Sequence, residues 1–112
     1  MSMKVNLLKK QTIENYAAQN ARSRPSFQIW LTMLKMATWS TPEDIKKTYG
    51  ASDLLGNGTN RVVFDIAGNN YRMICKYLFG DREVQLYVCW VGTHAEYTTL
   101  CRQSKQYTIR SY

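Results

Sequence analysis

Two short turns that begin with glycine constrain the fold of this chain more than any other feature of its sequence. They are Gly68-Asn69 and Gly80-Asp81, and each lies between runs in which apolar and polar residues alternate. Glycine at the first central position is typical of the two-residue type II′ loop that joins antiparallel strands. Residues 61–90 are therefore predicted to form three antiparallel strands.

The first turn divides the residues of its hairpin between two unlike faces. In this register Asp65 lies opposite Arg72. The same register places Arg61 opposite Lys76, and an anion bound between these two cations would relieve their repulsion. Because side chains alternate across a strand, one face is apolar and the other is basic. The apolar face is predicted to contain Val62, Phe64, Ile66, Tyr71, Met73, Cys75, Tyr77 and Phe79.

The second turn extends this arrangement to a third strand. A two-residue loop there would place Tyr77 opposite Val84. It would also place Cys89 opposite Arg72, on the basic face. The residues predicted to join the apolar face are Val84, Leu86, Val88 and Trp90. Because a one-residue slip would turn the whole strand over, the agreement of both hairpins on one apolar face supports this register.

A helix start follows the third strand directly. Residues 93–96 read Thr-His-Ala-Glu, a capping-box pattern in which Thr93 and Glu96 bond each other's backbone N–H groups through their side chains. The helix is therefore predicted to begin at His94. His94 and Tyr97 are three positions apart, so they share one side of its first turn.

The N-terminal half is predicted to supply one strand and three helices. The strand covers residues 4–8, and the first helix begins near Thr12. A second and longer helix is predicted from the apolar stripe formed by Phe27, Trp30, Leu31 and Leu34. Thr41-Pro42 begins a short third helix, and residues 51–60 are predicted to be a flexible loop.

These elements together predict the fold class. The chain of 112 residues is the size of one domain. We therefore predict a small single α+β domain over residues 1–112, with the order β-α-α-(α)-β-β-β-α. Its antiparallel sheet is predicted to carry helices on one face and to leave an open basic face.

Charge and cysteine content limit the classes of function. The net charge is +7, and the basic excess is spread over both halves, which favours nucleic acid over a membrane as partner. A soluble basic protein without such a partner is the simpler interpretation. Three cysteines without Cys-x-x-Cys spacing argue against a zinc site or a disulfide framework, so no metal and no cofactor is predicted. The sequence has no membrane span and no signal peptide, which predicts a cytoplasmic protein.

The basic face and the helix start offer the groups needed to cleave RNA without a metal. Such cleavage takes a proton from the ribose 2′-OH, stabilises a phosphorane and gives a proton to the 5′-oxygen. His94 and Tyr97 can move protons, while Arg72 and Lys76 can offset the developing charge. His94 is the only histidine, so a ribonuclease that uses two histidines is excluded. The competing interpretation is that a lone histidine at a helix start is an ordinary surface residue.

Two stretches carry a resemblance to a known family. Residues 61–72, followed by Lys76 and by Gly-Thr-His-Ala-Glu-Tyr at 92–97, resemble the HigB toxins of the RelE/ParE superfamily. The resemblance implies a ribosome-dependent mRNA endoribonuclease, silenced by a HigA-like helix-turn-helix antitoxin, and leaves open a heterotetramer of the two. The catalytic residues are then Arg72, Lys76, His94 and Tyr97. The RNA-binding residues are predicted to be Arg61, Asn69, Arg72 and Lys76.

One position departs from the family pattern. Relatives usually carry arginine or lysine four residues before the motif threonine, where this chain has Cys89. Two alternatives therefore stand beside the active nuclease. One is a weakened or inactive RelE-like protein that only binds RNA or its antitoxin, and the other is a ParE-like inhibitor of DNA gyrase.

Overall fold

A computed structural model describes residues 2–112 as a six-stranded sheet with helices on both faces. The strands are β1 Met3–Leu8, β2 Thr38–Trp39, β3 Ser52–Leu55, β4 Arg61–Ile66, β5 Tyr71–Phe79 and β6 Glu83–Thr93. The helices are α1 Lys10–Gln19, α2 Arg24–Met36, α3 Glu43–Thr48 and α4 His94–Arg102. Single 3-10 turns cover Ala21–Ser23 and Lys105–Tyr107. The predicted α+β class is confirmed.

The sheet is larger than predicted and is mixed. Its strand order is β2-β1-β6-β5-β4-β3, and β1 pairs with β6 in parallel, so the prediction of a purely antiparallel sheet was wrong in this detail. Turn chemistry defines the pairing of strands that follow each other, whereas β1 meets a strand from the other end of the chain. Part of the predicted loop at 51–60 forms β3, which pairs with β4 at the sheet edge.

Helices α1, α2 and α3 cover one face of the sheet and build the main core. Phe27, Trp30 and Leu34 of α2 are buried, as the apolar stripe predicts. The Trp30 ring stacks on Tyr49 at 5.2 Å between centroids, and both rings meet Phe64 edge-on. Burial of each such side chain stabilises the fold by about 1.5–3 kcal/mol.

The second face of the sheet carries a smaller core. Leu100 of α4 packs there against Val63 and Ile74, and Ile109 from the C-terminal segment joins them. The basic face is therefore only partly open, because α4 and the C-terminal segment cover some of it. This partial cover corrects the prediction that all helices lie on one side.

The register of the first hairpin is confirmed. Asp65 pairs with Arg72 and Arg61 pairs with Lys76. Gly68 has a φ of 65°, the positive value that a glycine-first turn requires.

The register of the second hairpin was predicted incorrectly. Tyr77 pairs with Leu86 rather than Val84, a shift of two residues. The cause is the turn, where the Gly80 N–H donates to the Glu83 carbonyl at 3.0 Å, so the loop is centred one position later than predicted. A shift of two keeps every side chain on its side of the sheet. The core therefore still receives the predicted residues Val84, Leu86 and Val88.

A β-bulge then turns the rest of β6 over. Cys75 pairs with Val88 while Ile74 pairs with Trp90, so Cys89 is the extra residue. A single inserted residue exchanges the two sides of a strand beyond it. Trp90 consequently lies on the second face. The partner of Arg72 is Gly92, so the predicted position of Cys89 opposite Arg72 was wrong.

Candidate active site

Arg72 is the most tightly held of the predicted site residues. Its Nε lies 3.1 Å from Asp65 Oδ1, directly across the hairpin. Its Nη2 donates to Asn69 Oδ1 in the turn, and its Nη1 donates to the Tyr71 carbonyl at 3.1 Å. Hydrogen bonds from a guanidinium to charged and polar oxygens are strong and directional. These three contacts therefore fix the orientation of Arg72, a residue that is only 8% exposed.

The start of α4 brings two further predicted residues to this end of the sheet. Both bonds of the predicted capping box are present, with Thr93 N–H donating to Glu96 Oε1 at 2.8 Å and Glu96 N–H donating to Thr93 Oγ1 at 3.2 Å. The His94 N–H donates to the Asn70 carbonyl at 2.9 Å, which ties the helix start to the turn beside Arg72. The His94 side chain is exposed.

Tyr97 completes this group from the first turn of α4. The Arg72 guanidinium lies 6.0 Å from the centroid of the Tyr97 ring, within the range of a cation–π contact. Burial raises the pKa of the Tyr97 phenol well above its usual value. The Cys101 thiol and Asp53 raise this pKa further, and the charge of Arg72 opposes them. The hydroxyl is therefore neutral at physiological pH and can donate a proton or a hydrogen bond.

We call Asp65, Asn69, Arg72, His94 and Tyr97 the Arg72 cluster. Sequence reasoning missed two neighbours of this group, Trp90 and Gly92. The Trp90 ring lies 6.1 Å from the Tyr97 ring. A Cβ at position 92 would collide with the Trp90 ring and would lie 3.1 Å from Glu96 Oε1. Gly92 is the one sign of this arrangement in the sequence, because only glycine lets the Trp90 ring come so close to the backbone at position 92.

Lys76 lies apart from the Arg72 cluster. It is four residues further along β5, a separation of about 13 Å at the usual rise of a strand. Lys76 is exposed and lines a cleft of 420 Å³. The cleft is also lined by Arg61, Tyr87, Cys89 and Arg110, and we call it the Lys76 cleft. The predicted site residues thus form two separate groups on the same face of the sheet, the Arg72 cluster and the Lys76 cleft, instead of a single site.

Arg61 contacts the protein's own backbone. It is 6% exposed, and its Nη1 donates to the Ile109 carbonyl at 2.7 Å and to the Gln106 carbonyl at 3.3 Å. These two bonds to carbonyl oxygens help the fold to accommodate a second cation at the position paired with Lys76. A role for Arg61 in RNA binding stays a prediction, while its contacts give it a structural role.

Cys89 lies on the second face of the sheet, as predicted, but it is buried there. It is 1% exposed and packs with Val63 and Ile74. Burial raises the pKa of its thiol, and the charges of Arg61 and Arg110 only partly oppose that effect. Burial therefore favours the neutral thiol over the thiolate at this position.

Among residues 2–112, no group of three histidine, cysteine or acidic side chains is placed to hold a metal ion. No helix in the same range is long and apolar enough to cross a membrane.

Comparison with known proteins identifies the family. The curated proteins contain no match to this chain. A family model does match residues 23–100, and it describes the RelE-like toxic component of a toxin–antitoxin system. The matched span includes the Arg72 cluster and most of the Lys76 cleft, and membership implies a toxin role and an antitoxin partner. This chain therefore belongs to the HigB toxin family.

Proposed function

We propose that this toxin is an endoribonuclease that cleaves mRNA on the ribosome and so inhibits translation. HigB and RelE-like toxins are generally endoribonucleases, and that family property is the starting point. The observation that carries the proposal is the Arg72 cluster, in which a fixed guanidinium lies beside a neutral phenol and the start of the helix that bears His94.

Each member of the cluster suits one part of RNA cleavage. Arg72 is held by Asp65 and Asn69, so its positive charge can stabilise charge on a phosphorane without reorganising. His94 is exposed, and its imidazole can act as the general base that takes the proton of the 2′-OH. The Tyr97 hydroxyl can donate a proton to the leaving 5′-oxygen.

The remaining roles concern binding. Lys76 is exposed in its cleft, and in this proposal it contacts a phosphate near the scissile one. Within this proposal the toxin acts in the cytoplasm, where ribosomes are present, and a HigA-like helix-turn-helix antitoxin silences it. A heterotetramer of toxin and antitoxin stays a prediction, and the measured mass of the complex would test it.

Cleavage of mRNA by purified toxin and ribosomes tests the proposal. Attack by the 2′-OH leaves a 2′,3′-cyclic phosphate and a 5′-OH end, and mapping of these ends identifies the reaction. His94→Ala should slow cleavage about 10²–10⁴-fold and leave RNA binding unchanged, because the imidazole acts on protons. Thr99→Ala, an exposed change on the same helix, is the matched control. Equal cleavage by the His94→Ala and Thr99→Ala proteins would make His94 a surface residue.

A second candidate function rests on Cys89. A buried thiol occupies a position where relatives usually carry a cation, which favours a toxin that binds RNA or its antitoxin without cleaving RNA. Growth arrest with intact mRNA would support this candidate. A ParE-like activity would likewise leave mRNA intact, and impaired DNA gyrase would distinguish it.

A further inference from the structure

The last eight residues, 105–112, form a strap across the second face of the sheet. Arg61 of β4 donates to the carbonyls of Gln106 and Ile109. The Ser111 N–H donates to the Cys89 carbonyl at 2.8 Å. The Tyr87 hydroxyl donates to the Tyr112 carbonyl at 2.7 Å. Anchors on both β4 and β6 therefore fix the path of this segment.

These anchors place Arg110 in the Lys76 cleft. Its guanidinium lies 4.8 Å from the centroid of the Tyr87 ring, a cation–π contact that orients the side chain. Arg110 lines the cleft together with Lys76 and Cys89, and it stays exposed. The charge of Arg110 also reaches Cys89, because it opposes the rise in the pKa of that thiol.

The cleft gathers positive charge without a counterion from the protein. Arg61, Lys76 and Arg110 line it, and none of its lining residues is acidic. Within residues 2–112, the ion pairs found involve Asp44 with Lys47 and Asp65 with Arg72, neither of which is in the cleft. Three clustered cations without a carboxylate favour an anionic ligand.

We propose that Arg110 binds a phosphate of the RNA substrate and supplies, from the C-terminal strap, the cation that β6 lacks at position 89. This inference rests on the proposed function. Arg110 contacts the substrate, while Arg61 is a positioning residue that holds the strap. The cleft lies about 13 Å along β5 from Arg72, so its ligand is a phosphate near the scissile one rather than the scissile phosphate itself.

Arg110→Gln tests this role, since it removes the charge and keeps most of the side-chain length. With purified toxin, ribosomes and mRNA, we expect the rate of cleavage to fall at least tenfold. Arg102→Gln is the matched control, because Arg102 is an exposed arginine that does not line the cleft. Arg110→Lys should keep most of the rate, because it keeps the charge.

The salt dependence of binding to a single-stranded RNA oligonucleotide provides a readout that does not depend on cleavage. Each phosphate contact contributes about 0.7 to the slope of log affinity against log salt concentration for single strands. We expect the slope to fall by this amount in Arg110→Gln and to stay unchanged in Arg110→Lys and Arg102→Gln. Melting temperatures of the three variants should match the parent, which separates a lost contact from a lost fold.

The outcomes separate the two proposals. If the parent protein cleaves no RNA, the endoribonuclease proposal fails, and the salt slopes still test whether Arg110 contacts phosphate. If the parent cleaves RNA and Arg110→Gln keeps both its rate and its slope, Arg110 does not bind the substrate. If Arg102→Gln lowered the salt slope as much as Arg110→Gln does, the inference would also be overturned. The slope would then report the net charge of the protein rather than a contact made by Arg110.

Discussion

The guanidinium of Arg72 lies against the ring of Tyr97, 6.0 Å from its centroid, and thereby joins the centre of the sheet to the first turn of α4. The hairpin fixes Arg72 through Asp65, and the capping box fixes the helix that carries Tyr97. Neither residue can turn away without breaking a contact to the other element. The pair is therefore a preorganised unit, which is the property expected of groups that stabilise a transition state.

Arg72→Lys should reduce cleavage of mRNA about 10²–10³-fold, because lysine keeps the charge but loses the fork that Asp65 and Asn69 orient. The melting temperature should change little, since the ion pair to Asp65 can still form. Cleavage rates and thermal unfolding measured on the same preparation check this prediction. A lysine variant as active as the parent would mean that only charge is needed at this position.

Tyr97→Phe should slow cleavage while leaving RNA affinity and the fold in place. The ring still packs against Trp90 and Arg72, and only the neutral hydroxyl is lost. Single-turnover rates with and without the hydroxyl measure the effect, which should be about 10²-fold or more for a proton donor. Tyr107→Phe, a half-buried tyrosine of the C-terminal segment, serves as the control. Unchanged rates in both variants would remove Tyr97 from the chemistry.

Gly92→Ala should destabilise the protein by about 1–3 kcal/mol, because the new methyl group would collide with the Trp90 ring. Chemical denaturation of the variant measures the loss. Gly56→Ala is the control, since a Cβ there meets no atom within 4 Å. A Gly92→Ala protein as stable as the control would show that Trp90 moves aside freely.

Alkaline pH should destabilise the fold through its buried phenols. Burial raises the pKa of Tyr16 from an ordinary value of 10.0 to about 12, and Glu96 adds to the rise. A raised pKa in the folded state means that the stabilisation is complete below pH 10 and is lost as pH rises from 10 towards 12. Tyr16→Phe should therefore flatten the free energy of unfolding over that range. A parent and a variant with the same pH profile would contradict this assignment.

The sequence predicted the parts of the site that depend on local chemistry. Glycine at 68 determines the first turn and thus the pairing of Asp65 with Arg72, and Thr93 with Glu96 determines the start of α4. Each of these features is encoded within a few residues. The first hairpin and the helix cap were accordingly predicted correctly.

The parts that failed depend on contacts between distant residues. Nothing near Cys89 in the sequence marks a bulge, which is defined by how β6 pairs with Ile74 and Cys75 of the neighbouring strand. The strap could not be predicted from the sequence either. Residues 105–112 have no periodic pattern, and Arg61, which holds them, is 45 or more positions away. Arg110 could therefore be assigned to the cleft only from the structure.

The parallel pairing of β1 with β6 affects when this toxin can become active. The Asn6 side chain bonds the side chain of Gln85, 79 positions later, so β1 can pair only after β6 has been synthesised. Strand pairings over such separations form slowly, because a long loop must close, at a cost in entropy, before the contacts between the strands stabilise it. The strap docks on the same strand, because the Tyr87 hydroxyl of β6 donates to the Tyr112 carbonyl. A nascent chain consequently holds β1 without its partner until β6 has left the exit tunnel, so a chain that stops before β6 cannot complete the sheet.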